Sequence, residues 1–240
     1  METNITSASQ GLTDFVSTDS LEGQKLATLL VIGQTLADTP NLRGALGRVL
    51  EILGQNHGML RSFVLLLDAF EDKLRAEAWY GINAEKARRV HYRVGEGVVG
   101  RVVESGKPIV VTQASREPML LNRLSAREKN SGRHELSFIC VPVRLGGKPV
   151  GALGADLHYK QDRDYERETK FLSIVASMMA QALKVEHLIE ADKQKLLDEN
   201  THLKQELRER YDFSHIIGNS SPLREVYEQV TQVARSNTTV

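Results

Sequence analysis

The sequence predicts an α+β domain that runs out into a long helix. Two amphipathic helical stripes come first, short β-rich runs broken by glycines follow, and helical periodicity then holds from Asp164 to about Arg210. Each element follows from a local pattern. Leu26, Leu29, Leu30, Gly33, Leu36 and Ala37 form the first stripe, from Leu21 to near Asp38. Thr39 and Pro40 suggest an N-cap with proline at the first helical position, and Leu42, Ala45, Leu46, Val49, Leu50 and Leu53 carry the second stripe to Gly54 or Gly58. Arg61 to Leu67 and Lys73 to Tyr80 are strands around a turn at 68–72, a hairpin that stops at Gly81. Trp79 and Tyr80 are expected to anchor the core.

From Arg89 to Val94 the residues alternate, with Arg89, His91 and Arg93 on one face and Val90, Tyr92 and Val94 on the other, which predicts a half-exposed strand. Gly95, Gly97 and Gly100 then spell G-x-G-x-x-G. A dinucleotide fingerprint needs a doubly buried strand before it and a full crossover helix after it. Here the strand is half wet, and the helix from about Gly97 is stopped by Gly106 and Pro108. Gly106-Lys107 and Gly147-Lys148 are each followed by proline, so neither is a Walker loop. The three glycines are therefore strand-to-helix turn chemistry.

Pro108 to Thr112 is a further strand, followed by a polar loop with a short helix around Met119 to Leu124 and a charged stretch to Glu135. Gly146-Gly147 makes a two-residue turn between two β-rich arms. That turn would set Val143 opposite Val150, Val141 opposite Ala152 and Ile139 opposite Gly154, with Pro142 marking an edge or a bulge.

Lys plus Arg equals Asp plus Glu at 31 each, so no global charge draws the chain to nucleic acid or membrane. Cys140 is the single cysteine, in an apolar run; an internal disulfide and a cysteine metal cluster are excluded. The seven histidines show no i, i+4 ligand pair, so no metal site is expected. No basic leader and no run of about 18 apolar residues is evident, which predicts a cytoplasmic chain with no membrane contact.

In the long helix Val175, Ala182, Ile189, Leu196 and Leu203 recur every seven residues, and Leu172, Met179, Glu186, Lys193, Asn200 and Leu207 form the companion seam. This is the pattern of a short parallel two-stranded coil, with a solvated linker helix as the alternative. The expected dimer seam is Val175, Met179, Ala182, Ile189, Leu196, Asn200 and Leu203.

The blocks Tyr92 to Arg101, Gly106 to Val111, Phe138 to Val143 and Gly151 to Gly154, behind two opening helices, resemble the GAF domain over about 21–188. Ile216 to Arg224 and Asn237 to Val240 look like the start of the AAA+ domain of bacterial activators of sigma-54 RNA polymerase. The combination is most similar to nitrogen-fixation-specific regulators of the NifA type. That resemblance implies an α+β GAF fold, an antiparallel six-stranded sheet flanked by helices, followed by a coiled-coil linker helix. The composition of 1–20, rich in Ser, Thr, Asn and Asp, predicts a disordered tail and the heptad pattern a coil (189–210); the resemblance adds a sensory domain (21–188) and a truncated AAA+ start (211–240). It also implies a homodimer sensing a small molecule or a regulatory partner protein. Sigma-54 polymerase, enhancer DNA and ATP with magnesium would be engaged only by domains outside these residues.

The resemblance places a pocket between the sheet and the segments after the third strand, near Tyr92, Val99, Arg101, Met119, Asn122, Phe138, Cys140 and Asp156. A carboxylate ligand of the 2-oxoglutarate kind would suit the helix start at Gly97 together with Arg101. The alternative is an amide end capped by Glu96 with Arg101 in solvent. Arg88, Arg89, His91 and Arg93 form a basic patch, either a guide for anions or the wet face of a strand. No catalytic residue and no resident cofactor are expected: Cys140 has no basic neighbour in sequence, and the methionine-sulfoxide-reducing GAF enzymes depend on several cysteines. A stand-alone metabolite-binding GAF protein and a purely dimerising domain are the alternatives to the regulator.

Overall fold

The computed structural model describes residues 21–39, 41–68, 71–117 and 135–210, with side chains to Glu206, and beyond these only Pro222, Glu225, Val226 and Gln229. The expectations for the tail 1–20, the short helix near Met119 and the AAA+-like segment lie outside the described residues. The chain divides into two compact units, Met1–Glu186 and His187–Val240.

In the first unit, α1 (Leu21–Asp38) and α2 (Leu42–His57) precede β1 (Arg61–Leu67) and β2 (Lys73–Tyr80). Next come α3 (Ala84–Arg89), β3 (His91–Arg93), α4 (Gly97–Ser105), β4 (Ile109–Val111), a 3-10 turn (Ala114–Arg116), β5 (Leu136–Leu145) and β6 (Lys148–His158). Helix α5 (Tyr165–Arg210) begins in the first unit, and its residues from His187 belong to the second. The strands form one antiparallel six-stranded sheet in the order β3-β2-β1-β6-β5-β4. The predicted α+β class and six-stranded sheet are what the chain forms.

The strand period of two sends alternate side chains to opposite faces, which gives two cores. Val64, Ile139, Val141, Val143, Leu153, Ala155 and Leu157 pack with residues of α1, α2 and the first half of α5. Phe63, Leu65, Leu74, Tyr92, Phe138 and Cys140 pack with α4. Trp79 lies on the α4 side and Tyr80 on the helical side, each half-buried. Tyr80 presses so closely on α2 that a Cβ at Gly54 would meet its ring carbon at 2.1 Å.

Several details depart from the sequence expectations. The cap of α2 is Asn41, whose Oδ1 accepts the Arg43 amide at 3.1 Å, two residues beyond the expected Thr39. The segment before β3 is not one strand: Asn83 caps a helix by accepting the Glu85 and Lys86 amides, and extended pairing begins only at His91. The β5–β6 hairpin starts in the expected register, Leu145 opposite Lys148 and Arg144 opposite Pro149. A bulge between Val143 and Arg144 then shifts it by one, setting Val143 opposite Gly151, Val141 opposite Leu153 and Ile139 opposite Ala155. Pro142 lies one residue from that bulge and beyond the reach of β4, whose pairing ends at Cys140, so its missing amide breaks no β4 ladder bond.

Helix α1 turns only part of its leucine stripe inward, Leu29 and Leu36 packing against the helical core. Gly23, Lys25, Thr28 and Ile32 are buried, whereas Leu26 and Leu30 are exposed. Lys25 turns inward because Glu168 of α5 meets it at 2.9 Å. Helix α5 starts as expected, with Asp164 accepting the Arg167 amide at 2.9 Å. It also contains one window long and apolar enough to cross a membrane, contrary to the reading of the sequence. Its apolar side chains Phe171, Leu172, Val175, Met179 and Leu183 are spent on the helical core.

Candidate functional site

The α4 side of the sheet gathers most of the predicted pocket residues. Tyr92 comes from β3, Val99 from α4, and Phe138 and Cys140 from β5; all four are buried in one cluster. Phe138 stacks on Phe63 with ring centroids 6.0 Å apart. Asp156 shares this face, opposite Phe138 on β6, and its Oδ2 meets Arg61 Nε at 3.0 Å. Arg101 is exposed on α4, and Met119 and Asn122 lie outside the described residues.

The glycine motif is built as a turn. Gly95 and Gly97 take positive φ of 82° and 62°, conformations that side chains with a Cβ rarely adopt. Gly100 has a different reason: a Cβ there would lie 2.3 Å from the Arg93 carbonyl oxygen, so only glycine lets α4 come this close to the end of β3. Glu96 occupies the N-cap position of α4, but its side chain makes no cap bond. Its Oε2 accepts the Arg93 amide at 2.8 Å, pointing back along the turn. The expected Glu96 side-chain cap is therefore not made.

Cys140 is fully buried, and burial pushes its thiol well above the usual range, because a thiolate there would lose its hydration. It is a packed core thiol rather than a nucleophile. Among the described residues no group of three or more His, Cys, Asp or Glu side chains is placed to hold a metal ion. Of the basic patch, Arg88, Arg89, His91 and Arg93 are all exposed. Lys73 and Arg75 pair opposite Arg93 and His91 on the same face, where Glu71 and Asp68 offset their charge.

Two groupings were not anticipated. Arg61 as partner of Asp156 depends on the β1–β6 register, which no local pattern reveals. On the helical side Lys25, Thr28, His57, Glu168 and Phe171 meet where α1, α2 and α5 converge: Lys25 Nζ lies 5.3 Å from the centre of the Phe171 ring and the His57 ring 4.6 Å from it. Burial, the largest effect, lowers the His57 pKa, partly offset by Glu168 and reinforced by Lys25.

The expected seam on α5 is divided by this packing. Val175 and Met179 are fully buried within the chain's own helical core, and Ala182 packs at its margin. In the second unit Ile189, Leu196 and Leu203 are exposed, and Ile189, Asp192, Lys193, Leu196, Leu197 and Asn200 share one face of α5.

The GAF domain family model matches residues 39–184. Nitrogen fixation protein AnfA of Azotobacter vinelandii is 34% identical over 90% of this chain, which covers 40% of that protein. The Nif-specific regulatory protein of the same organism is 31% identical, again over 90% of this chain and 41% of the relative. The chain thus spans about two fifths of the length of these relatives. A free methionine-R-sulfoxide reductase from Neisseria meningitidis, solved with its substrate, superposes with a TM-score of 0.58 at 21% identity, over 69% of this chain and 91% of that one; at that identity the likeness concerns the fold alone. With the family model matched over more than half of its length and an antiparallel six-stranded sheet behind paired opening helices, the chain belongs to the GAF domain family.

Proposed function

We propose that this chain is the regulatory sensory module of a NifA-like, sigma-54-dependent activator of nitrogen fixation genes, controlling an AAA+ ATPase domain of the same protein in the cytoplasm. The observation that carries this reading is the similarity to Nif-specific regulators over 90% of the chain, together with its span of only about two fifths of their length. The module performs no chemistry of its own: its one cysteine is a buried core thiol. It senses a small molecule or a partner protein, and α5 passes the change onward. Sigma-54 polymerase, enhancer DNA and ATP with magnesium are engaged by other domains.

The effector in this reading is a carboxylate of the 2-oxoglutarate kind, set against the α4 start and Arg101. A second reading is favoured by one observation: Tyr92, Val99, Phe138 and Cys140 are each no more than 4% exposed and pack on one another, as in a domain whose pocket is filled by its own side chains. Calorimetric titration with 2-oxoglutarate and with cyclic nucleotides separates the two. Saturable 2-oxoglutarate binding that Arg101→Ala weakens supports the carboxylate sensor, and absence of binding by every ligand supports the closed, protein-binding domain.

The module acts as a homodimer. Leu26, Leu30, Gly33 and Ala37 recur on α1 at intervals of 4, 3 and 4, the spacing of a helix seam, with the two leucines exposed. Ile174 and Val185 are exposed on the first-unit part of α5, and a Cβ at Gly33 would sit 3.3 Å from Met178 Cε, which ties the two helices side by side. A second copy of the chain, presenting the same spacing, is the occupant this surface fits.

A further inference from the structure

Edge strand β4 touches both sides of the sheet. Val111 is buried on the α4 side opposite Phe138, within the cluster that holds the candidate site. One residue later the Thr112 carbonyl accepts a hydrogen bond from Ser137 Oγ at 2.7 Å. Ser137 is fully buried, and neighbouring Ile139 lies on the helical side. The same Oγ lies 2.7 Å from the hydroxyl of Tyr165, the first residue of α5.

The proton count fixes the direction of this chain. A carbonyl only accepts, so Ser137 spends its one proton on Thr112, and Tyr165 must donate to Ser137. The Lys160 carbonyl, at 3.3 Å, is the weaker of the two acceptors near the Tyr165 hydroxyl. Tyr165 is itself held in the helix, since its carbonyl accepts from Thr169 Oγ1 at 2.7 Å. Beyond Thr112 the chain is pinned again, Glu135 accepting from both the amide and the hydroxyl of Ser115 at 2.9 and 2.7 Å.

Strand β4 has only three paired residues and one neighbour, so its position is weakly set by the ladder. A part-buried hydroxyl chain through the fully buried Ser137, joining it to the first turn of α5, therefore carries weight beyond its two bonds. We propose that Tyr165 and Ser137 are positioning residues that couple strand β4, beside the candidate site, to the start of α5, so that displacement of β4 is transmitted to that helix. The inference rests on the sensory reading above and names the residues through which it works.

Hydrogen exchange on the full chain tests it without any ligand, so its failure is separate from failure of the titration. Tyr165→Phe removes the donor and keeps the ring. The expected result is faster exchange, by about fivefold, the order one hydrogen bond sets, at residues 110–113 as well as in the first turns of α5, with β2 unchanged. Ser137→Ala should do the same, and the double variant should add nothing to the larger single effect. If Tyr165→Phe alters exchange only around residues 160–169 and leaves β4 at the wild-type rate, or if the two substitutions add independently, the coupling is overturned.

Discussion

His57 donates a hydrogen bond to Thr28. The atoms Nε2 and Oγ1 are 2.9 Å apart, and the Thr28 hydroxyl has already given its proton to the Gln24 carbonyl, so the imidazole supplies this one. A neutral ring with its proton on Nε2 satisfies the contact, and burial depresses the pKa below its ordinary value. The folded chain then binds the proton more weakly than the unfolded chain, whose histidine titrates near 6.5. Stability from this residue is therefore complete above the unfolded value and is lost as pH falls from there through the folded value. Melting temperatures of the wild type and of His57→Gln, measured from pH 8 to pH 5, should converge as the solution is acidified. A constant difference across the range would mean that the ring does not titrate as described.

Lys25 and Glu168 stand beside that histidine with side chains only 9% and 12% exposed. Removing one member of so enclosed a pair leaves a charge without a counterion, so Glu168→Gln or Lys25→Met should each cost roughly 3 kcal/mol in urea unfolding. Replacing both, Lys25→Met with Glu168→Leu, should recover most of the loss, because the desolvation of two charges disappears with them. Single and double variants of equal stability would place the pair in effectively solvated surroundings.

The same pair explains what could and could not be read along the chain. Strands β1 and β2 match their expected limits because glycine and polar turns bound them and their apolar residues lie close in sequence. Helix α3 left almost no trace: in six residues it buries only Ala87, and its signal is the Asn83 cap. Lys25 carries no local signal of burial, since the carboxylate that admits it to the core lies 143 residues away. The shift at Val143 is likewise invisible along β5, because the extra residue is Val150 on β6 and the alternation of β5 is unchanged. Tyr92, Val99, Phe138 and Cys140, which the family resemblance singled out, share one buried cluster; Arg61 left no signal in the sequence, because only the sheet brings it to Asp156.

Two glycines should respond in opposite directions to the same substitution. Gly100→Ala drives a methyl group to 2.3 Å from the Arg93 carbonyl oxygen and must open the turn, a loss of about 1–3 kcal/mol. Gly47→Ala, within α2, meets nothing within 4 Å and should gain about 1 kcal/mol from reduced freedom of the unfolded chain and better helix propensity. Chemical denaturation of the two variants provides the comparison, and stabilisation by Gly100→Ala would refute the close approach of α4 to β3.

Cys140 should be silent towards thiol reagents while the chain is folded. Its side chain is fully buried and its thiol is pushed well above the usual range, so both access and the reactive thiolate are withheld. Ellman's reagent is expected to report one thiol in denaturant and essentially none in native buffer. Rapid native labelling would reopen a redox or catalytic role for the sulfur.

Leu30 and Leu60 offer a matched pair for the dimer surface. Each is 38% exposed, but Leu30 lies on the outward stripe of α1 while Leu60 precedes β1. A charge at either position costs the folded monomer little, because neither side chain is in the core. At an interface between copies, by contrast, Leu30→Glu would place two like charges in a seam that must desolvate them. Sedimentation over a range of concentrations should therefore show Leu30→Glu dissociating at concentrations where the wild type and Leu60→Glu remain paired. Equal association by all three proteins would remove α1 from the dimer contact, and a wild type that stays monomeric throughout would remove the dimer itself.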